Sequence, residues 1–132
     1  MGHFSVSTSG QTEFIDITRQ VEQAVAASRV SEGIAFVFVP HTTAGITINE
    51  GADPSVQADI LTALNRIVPS KGPYRHAEGN SPAHIKAGLM GSSVAVLVES
   101  GRLILGTWQS IFFCEFDGPR SRRVLVQMIP SH

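Results

Sequence analysis

Three histidines and the polar residues around them are the side chains of this sequence best suited to chemistry. His76 and His84 flank a short segment rich in Gly, Asn, Ser and Pro, and His41 follows a strand-like apolar run. Neutral imidazoles are common ligands of transition metals, and three of them that leave one position open form a catalytic zinc site. We therefore expect His41, His76 and His84 to bind a divalent metal, with zinc as the first expectation.

The spacing of these histidines is a weak signal when taken alone. It lacks the regularity of the helical H-E-x-x-H or the C-x-x-C pattern, so the alternative is that His41 caps a strand end while the other two bond loop carbonyls. Glu78 lies between His76 and His84, where a carboxylate can act as general base on a bound water. Asp53 has a simpler explanation as the N-cap of a helix that begins with Pro54.

Cationic and amide side chains predict where a substrate would be held. Arg120, in a turn near the C-terminal end, and Lys86, two residues after His84, are suited to binding a phosphate or carboxylate. The alternative for Arg120 is a solvated charge on a surface turn. Gln109 either bonds substrate or faces a neighbouring chain, and Trp108 beside it is better explained by a subunit interface.

Composition excludes several classes of function. The 132 residues make one domain, 1–132, and a net charge of -1 without a Lys/Arg run argues against nucleic acid as a partner. No signal-peptide pattern and no membrane-spanning apolar run is present, so we expect a cytoplasmic protein without membrane contact. With 42% hydrophobic and 16% charged residues, we expect part of the surface to be covered by other subunits. The single cysteine, Cys114, is expected to be buried and inert.

Periodicity predicts strands and helices in the N-terminal half. Alternation at Phe4 and Val6, and the run 14–17, predict two strands joined by a polar turn. A helix follows, with Thr18 as its N-cap and Gly33 at its stop. The run Ile34–Val39 is apolar on both faces and predicts a strand buried on both sides. After it we expect a half-buried strand at 46–49.

The C-terminal half predicts two helices and then a series of hairpin strands. One helix runs from Pro54 to Pro69 with an apolar stripe that includes Leu64 and Ile67, and a shorter one covers 83–89 after a long loop. Strands are expected at 94–98, 102–105, 108–116 and 124–129, with a tight turn at Ser100-Gly101. This order of elements predicts an α+β domain with a mainly antiparallel, β-sandwich-like core and two to three helices.

Several ordered motifs together resemble the YjbQ family, also called UPF0047, over nearly the whole chain. They are His41-Thr42-Thr43-Ala44-Gly45, Asn49-Glu50, Asp53-Pro54, His76 with Glu78-Gly79-Asn80, Ala83-His84-Ile85-Lys86-Ala87, Gly106-Thr107-Trp108-Gln109 and Glu115-Phe116-Asp117-Gly118-Pro119-Arg120. The resemblance implies a trimer with a histidine-lined pocket able to hold zinc, and weak thiamine-phosphate synthase activity. It places His41, His76 and His84 on the family's histidine positions. Its other recurring polar positions fall on Glu50, Asp53, Glu78, Asn80, Gln109 and Arg120.

Pro82 departs from the family pattern, because many members have a further histidine at that point, just before His84. A ligand or proton shuttle used elsewhere is then missing from this chain. Among the matched residues, we expect Glu78, Asn80, Arg120 and Gln109 to be catalytic.

Two classes of function follow from these observations. The first is a metal-dependent enzyme acting on a small phosphorylated or anionic metabolite, either a thiamine-phosphate synthase-like transferase or a metal-dependent hydrolase. Imidazole ligands prefer zinc, nickel or copper to magnesium, which favours hydrolysis or Lewis-acid chemistry over phosphate-transfer chemistry on magnesium. The second class is a non-enzymatic trimeric module whose histidine site binds metal or anion for stability or sensing. Structural histidines without metal are the third alternative.

Overall fold

Eight β-strands and three α-helices make up the computed structural model, which describes residues 1–132. In chain order they are β1 (Gly2–Ser7), β2 (Glu13–Asp16), α1 (Thr18–Ser28), β3 (Gly33–Phe38), β4 (Ala44–Glu50), α2 (Pro54–Ile67), α3 (Ser81–Met90), β5 (Ser93–Glu99), β6 (Arg102–Leu103), β7 (Gln109–Glu115) and β8 (Ser121–Pro130). None of these helices is long and apolar enough to span a membrane.

The strands form two antiparallel sheets. One sheet has the order β1-β8-β3-β5-β6 and the other the order β2-β7-β4. Every strand pair is antiparallel, and the α+β class predicted from the order of elements is confirmed. Consecutive strands lie in different sheets at every connection except that between β5 and β6, and β1–β2, β3–β4 and β7–β8 are three of these crossing connections.

Two apolar clusters stabilise this arrangement. The larger lies between the sheets and is completed by α1, and its buried members include Val21, Val25, Val37, Ile46, Phe113 and Val124. The smaller lies on the other face of the three-stranded sheet, where Leu64 of α2 and Ala83 and Ala87 of α3 pack with Phe112, Cys114 and Phe116. Alternate residues of β7 thus enter different clusters, as the period of two requires. The predicted burial of Cys114 is confirmed, and burial raises the pKa of its thiol.

The two predicted N-terminal strands joined by a polar segment are present, and they lie in different sheets, because β1 joins β8 while β2 joins β7. One prediction about the strands is wrong. Strand β3 is buried on one face only: Ala35 and Val37 are fully buried, but Phe36 and Phe38 are each 37% exposed. Within one chain nothing packs over that outer face, and an apolar composition alone does not reveal this.

The helix ends differ from the prediction at α1 and agree at α2. Thr18 is the first residue of α1 and not its N-cap; Asp16 Oδ1 accepts from its N–H and hydroxyl at 2.9 and 2.6 Å. The helix ends at Ser28, where Arg29 adopts the left-handed conformation with φ 60°, well before Gly33. At α2, Asp53 is the N-cap as predicted, and its Oδ1 accepts from the Ser55 N–H at 3.0 Å.

The apolar stripe predicted for α2 is only partly buried. Leu64 is buried against the three-stranded sheet, whereas Ile67, one turn further on, is 70% exposed. Helix α3 begins at Ser81, two residues earlier than predicted, with Pro82 in its first turn. It ends at Met90, where the Gly91 N–H donates to Ala87 O at 2.9 Å. The predicted turn at Ser100-Gly101 is confirmed, with both residues at positive φ between β5 and β6.

Candidate functional site

Three of the connections that cross between the sheets, β1–β2, β3–β4 and β7–β8, meet at one end of the molecule. The cross-strand register aligns Glu13, Ala44 and Glu115, so the start of β2, the start of β4 and the end of β7 are neighbours. The connections therefore bring together residues 8–12, 39–43 and 116–120. The N-terminal end of α3 and the loop before it lie over the same region, and these segments carry the candidate site.

A buried ion pair joins the three crossing connections. Glu115 and Arg122 are 0% and 3% exposed, and Arg122 Nε donates to Glu115 Oε1 at 2.8 Å while its Nη2 donates to Oε2. Thr8, after β1, donates its hydroxyl to Glu115 Oε1 at 2.8 Å. Thr43, before β4, accepts from Arg122 Nη2 on its hydroxyl at 2.9 Å. The ion pair therefore holds together the three connections that carry the candidate site.

Hydrogen bonds keep Glu115 ionised in this buried position. Burial by itself raises the pKa of the carboxyl, but donation from Arg122, the Asp117 N–H and Thr8, with the guanidinium charge, brings the pKa below its ordinary value. The backbone N–H groups of Phe116 and Asp117 each donate to Oε2 at 3.0 Å. The carboxylate consequently orders the start of the connection that carries Asp117 and Arg120.

His41 is held by the backbone of β8. The Arg123 N–H donates to His41 Nε2 at 2.9 Å. Burial, with the charge of Arg122, lowers the pKa of His41 despite the opposing charge of Glu115. Since Nε2 accepts a hydrogen bond, the neutral ring carries its proton on Nδ1 and is a donor there.

His76 and His84 form a close pair at the other side of the same cavity. Their ring centroids are 5.1 Å apart, with an interplanar angle of 82°. Glu78 Oε2 lies 3.9 Å from His76 Nε2, beyond hydrogen-bond distance, and its side chain is 76% exposed. The prediction that Glu78 lies beside a histidine is met, and its carboxylate belongs to the rim of the cavity.

A second set of polar contacts connects α3 to the last crossing connection. Asn80, the N-cap of α3, donates its Nδ2 to Asp117 Oδ2 at 2.9 Å. Arg120 Nη2 donates to the same oxygen at 3.0 Å, and its Nε donates to the Asp117 carbonyl at 2.9 Å. Arg120 is therefore oriented by Asp117, while about half of its side chain stays exposed to the cavity and solvent.

One cavity of about 690 Å³ collects most of the predicted site residues. Six of those seven positions line it or its rim, although they come from distant parts of the chain: His41, His76, Glu78, Asn80, His84 and Arg120. Thr42 and Thr43, noted in the sequence for their hydroxyls, also line it. Because only two of its fourteen lining residues are hydrophobic, the cavity is suited to a polar ligand.

The structure does not bring Gln109 to this cavity, which corrects its predicted role beside the histidines within one chain. Gln109 begins β7 and pairs in register with Glu50, whereas Glu115, at the cavity end, lies about 20 Å along the strand. Its Oε1 accepts from the Gly106 N–H at 2.7 Å. Asp53 follows Glu50 at that same far end and caps α2.

Lys86 also lies outside the histidine cavity, which corrects the expectation that it assists Arg120 there. Its side chain packs behind α3, where Nζ donates to Asn65 Oδ1 at 2.6 Å. A neighbouring cavity is lined by Lys86, and it shares Glu78, Asn80 and Asp117 with the histidine cavity.

Sequence reasoning missed the roles of Glu115, Asp117 and Arg122. Strict alternation along β8 predicts that Arg122 shares the inner face with Val124 and Val126, so a charged residue in that register was the available signal. A buried arginine needs a partner, and the cross-sheet carboxylate of Glu115 supplies it. Nothing in the local sequence specifies that pairing.

A zinc ion on all three histidines does not fit this arrangement within one chain. No group of three or more His, Cys, Asp or Glu side chains lies close enough to hold a metal ion. His76 and His84 are adjacent, but the lone pair of His41 Nε2 is used by the Arg123 N–H.

Comparison with known proteins agrees with this architecture. Residues 2–131 match the family model described as UPF0047 protein YjbQ-like. The UPF0047 protein MJ1081 of Methanocaldococcus jannaschii is 49% identical over 126 residues, 96% of this chain and 91% of the relative. The UPF0047 protein YugU of Bacillus subtilis is 50% identical over 125 residues, 94% and 95% of the two chains.

Solved structures agree with the fold. An uncharacterised YjbQ/UPF0047 protein of Clostridium acetobutylicum superposes with a TM-score of 0.96 and 58% identity, covering 98% of this chain and 100% of that one. The conserved hypothetical protein TT1486 of Thermus thermophilus gives a TM-score of 0.91 at 45% identity, with the same coverage. By sequence and by fold, the chain belongs to the UPF0047 family of YjbQ-like proteins.

Proposed function

We propose that the chain is an enzyme acting on a small phosphorylated or anionic metabolite in the histidine cavity. The observation that carries this proposal is that His41 and the two loop histidines, which come from separate parts of the chain, line one polar cavity with Arg120 and Arg122. Histidine is the side chain best suited to moving protons near neutral pH, and arginine is the one best suited to binding oxyanions. The two chemistries meet here in a space large enough for a small metabolite.

Each residue has a role that follows from its contacts. Arg120, oriented by Asp117, presents its free N–H groups to an oxyanion, and the Nδ1–H of His41 is a neutral donor to a substrate oxygen. The His76 and His84 pair acts as general acid and base, because one imidazole can give a proton while its neighbour accepts one. Asn80 and Glu78 complete the polar wall between them.

The experiment is a turnover screen of phosphorylated metabolites with the wild type and two histidine variants. We expect His84→Gln to lower kcat by roughly a hundredfold or more, as loss of general acid–base catalysis does. His3→Gln is the matched control, because His3 is exposed on β1 and lies outside the cavity. Equal activity in all three proteins would overturn the assignment of the site.

A zinc ion bound at His76 and His84 is a second candidate, supported by the closeness of the two rings. When bound, zinc would supply Lewis-acid chemistry, and the remaining positions would fall to water or substrate. Elemental analysis of tag-free protein, beside the His84→Ala variant, tests this. About one equivalent of zinc per chain, lost in the folded variant, supports it. Protein that stays metal-free in added zinc rejects it and leaves acid–base catalysis in place.

Thiamine-phosphate synthase activity is the specific version of this proposal that the family resemblance implies. Such a reaction joins two phosphorylated heterocycles with loss of pyrophosphate, and the arginines are suited to binding its anionic groups. Nothing in the cavity selects a pyrimidine or a thiazole. Thiamine phosphate formation that is abolished by His84→Gln, and unaffected by His3→Gln, would support the activity; its absence would restrict the proposal to other anionic substrates.

The alternative function is a non-enzymatic trimeric module. Formation of a homotrimer is supported by the apolar outer face of the five-stranded sheet. Phe36, Phe38, Leu97 and Ile129 are all exposed there, between 37% and 63%. Sedimentation analysis of the wild type and of Phe36→Ser with Leu97→Ser tests whether this face joins subunits, with a folded monomer expected for the double variant. A trimer that never turns over metabolites would favour the module.

A cytoplasmic location is also proposed, and cell fractionation tests it.

A further inference from the structure

Lys86 is a buried cation without a counter-ion. Its side chain is only 7% exposed, it belongs to the face of α3 that packs toward the protein, and no ion pair includes it. An ammonium group has three N–H donors, and only one of them is used, toward Asn65 Oδ1 at 2.6 Å. Burying a charge in this way is unfavourable unless an anion pairs with it.

A second unsatisfied group lines the same cavity. Asn80 Oδ1 is buried and accepts no hydrogen bond. Its amide cannot be turned to solve this, because the Nδ2 donates to Asp117 Oδ2 at 2.9 Å and a carboxylate is only an acceptor. Lys86 and Asn80 both line one cavity of about 520 Å³, the Lys86 cavity, and each has a hydrogen-bonding group that is not fully used.

The remaining lining is polar and carries little opposing charge. Thr12, Ser70 and Gln11 contribute hydroxyl and amide groups. Of the two acids at its wall, Asp117 is paired with Arg120, and the side chain of Glu78 is 76% exposed on the rim. An oxyanion entering this cavity therefore meets donors at Lys86 and no unpaired buried carboxylate.

We propose that the Lys86 cavity is a second ligand site, which binds a small oxyanion through the Lys86 ammonium group and receives one donor of that ligand on Asn80 Oδ1. Phosphate in its monohydrogen form has this chemistry, since it offers acceptor oxygens and one P–OH donor. The site adjoins the histidine cavity, with which it shares Glu78, Asn80 and Asp117, but Lys86 lies outside that cavity and the proposal does not depend on catalysis there. Burial lowers the pKa of Lys86, and a bound anion would reverse this shift.

The lysine content of the chain makes the test specific. Lys71 and Lys86 are its two lysines, so protein labelled with ¹³C and ¹⁵N in lysine gives two side-chain signals. Lys71 is exposed in the loop after α2 and serves as the internal control. The signal that is lost in Lys86→Met belongs to Lys86, and the one that remains belongs to Lys71.

Titration with inorganic phosphate at constant ionic strength is the experiment. We expect a saturable shift of the Lys86 signal with a rise in its pKa, little change at Lys71, and weaker binding in Asn80→Ala. Sodium acetate is the second probe: it has no donor for Asn80 Oδ1, so we expect it to bind more weakly than phosphate, and a response to acetate alone would overturn the role of Asn80. The same response in His84→Gln would show that the site stands even where the histidine proposal fails.

Two further outcomes would overturn this proposal. One is a Lys86 signal that stays unmoved by both anions. The other is an equal, unsaturated drift of both lysine signals, because screening by salt acts on exposed and buried charges without a site.

Discussion

The Arg123 N–H and His41 Nε2 are joined across 2.9 Å, so the backbone of β8 determines which nitrogen of His41 carries the proton. Protonation of Nε2 would place two donors against each other and break this bond. Burial and the charge of Arg122 act in the same direction and lower the pKa of His41. The histidine is therefore neutral at pH 7 because of its surroundings and not only because of its ordinary pKa.

Stability should fall as the medium becomes more acidic than the ordinary histidine pKa of about 6.5. In that range the unfolded chain binds a proton that the folded His41 does not, so the free energy of unfolding decreases as the pH falls, and it levels off below the folded pKa. Urea denaturation at a series of pH values measures this. Arg122, Glu115 and Arg120 also face His41, and the Glu115 carboxyl, whose pKa lies below its ordinary value, stays ionised across this range.

His41→Gln is the variant that checks the assignment, because Gln can accept the Arg123 N–H bond without titrating. We expect a flatter pH profile for it, whereas His3→Gln, on the exposed face of β1, should keep the wild-type profile. A wild-type profile in His41→Gln would place the titrating group elsewhere.

Breaking the buried pair should cost far more than removing a surface charge. We expect Glu115→Gln and Arg122→Met each to lower the free energy of unfolding by about 3–5 kcal/mol, since each leaves a buried charge without its partner. Arg123→Gln removes an exposed side chain and keeps the N–H that bonds His41, so it should change stability by less than about 0.5 kcal/mol. Urea denaturation measures the free energy of unfolding of the three variants. Nearly equal decreases in all three would contradict a special role for the buried pair.

The sequence predicts the elements better than their neighbours. Period-two and helical spacing locate most strands and all three helices, because those patterns reflect local geometry. Whether β1 pairs with β2 or with β8 depends on how the chain reverses direction, and the spacing of apolar residues carries no information about that. Phe36 and Phe38 are apolar but lie on the outer face of the sheet, each 37% exposed, so their strand was wrongly expected to be buried on both faces.

Gly45 and Gly88 form a matched pair for testing close packing. A Cβ on Gly45 would lie 2.7 Å from the Gly91 carbonyl oxygen, where β4 meets the end of α3, whereas a Cβ on Gly88 meets nothing within 4 Å. We expect Gly45→Ala to destabilise by about 1–3 kcal/mol through overpacking. Gly88→Ala, inside α3, should stabilise by about 0.5–1 kcal/mol. Thermal denaturation distinguishes the two variants. If Gly45→Ala leaves the stability unchanged, the end of α3 must shift to accommodate the added Cβ.

Cys114 should be unreactive toward thiol reagents in the folded protein. It is fully buried, and burial raises the pKa of its thiol, so the thiolate is absent at neutral pH. Labelling with a chromogenic disulfide should proceed at the rate of unfolding in native buffer and immediately in urea. Fast labelling without denaturant would mean that the cluster under α3 opens readily.

The site was predictable in its residue types but not in its contacts. The three histidines stand out because imidazoles in a polar loop have few structural explanations, and all three line the cavity. The direction of His41 depends on a β8 amide more than eighty positions away, and no local pattern encodes such a contact. Lys86 was wrongly expected beside Arg120 because it follows His84 by only two residues. On a helix, that spacing turns the two side chains to different faces.

The crossing connections have a consequence for how the chain acquires its cavity. Thr8 and Glu115 are separated by 107 positions, and Thr43 and Arg122 by 79, yet both contacts belong to one buried network. Contacts of such long range form only after intervening chain has been ordered. The residues that line the cavity run from Phe38 to Arg122, so we expect a nascent chain to lack the cavity until the last strand has been synthesised. A ligand that binds there would then act as a reporter of complete folding.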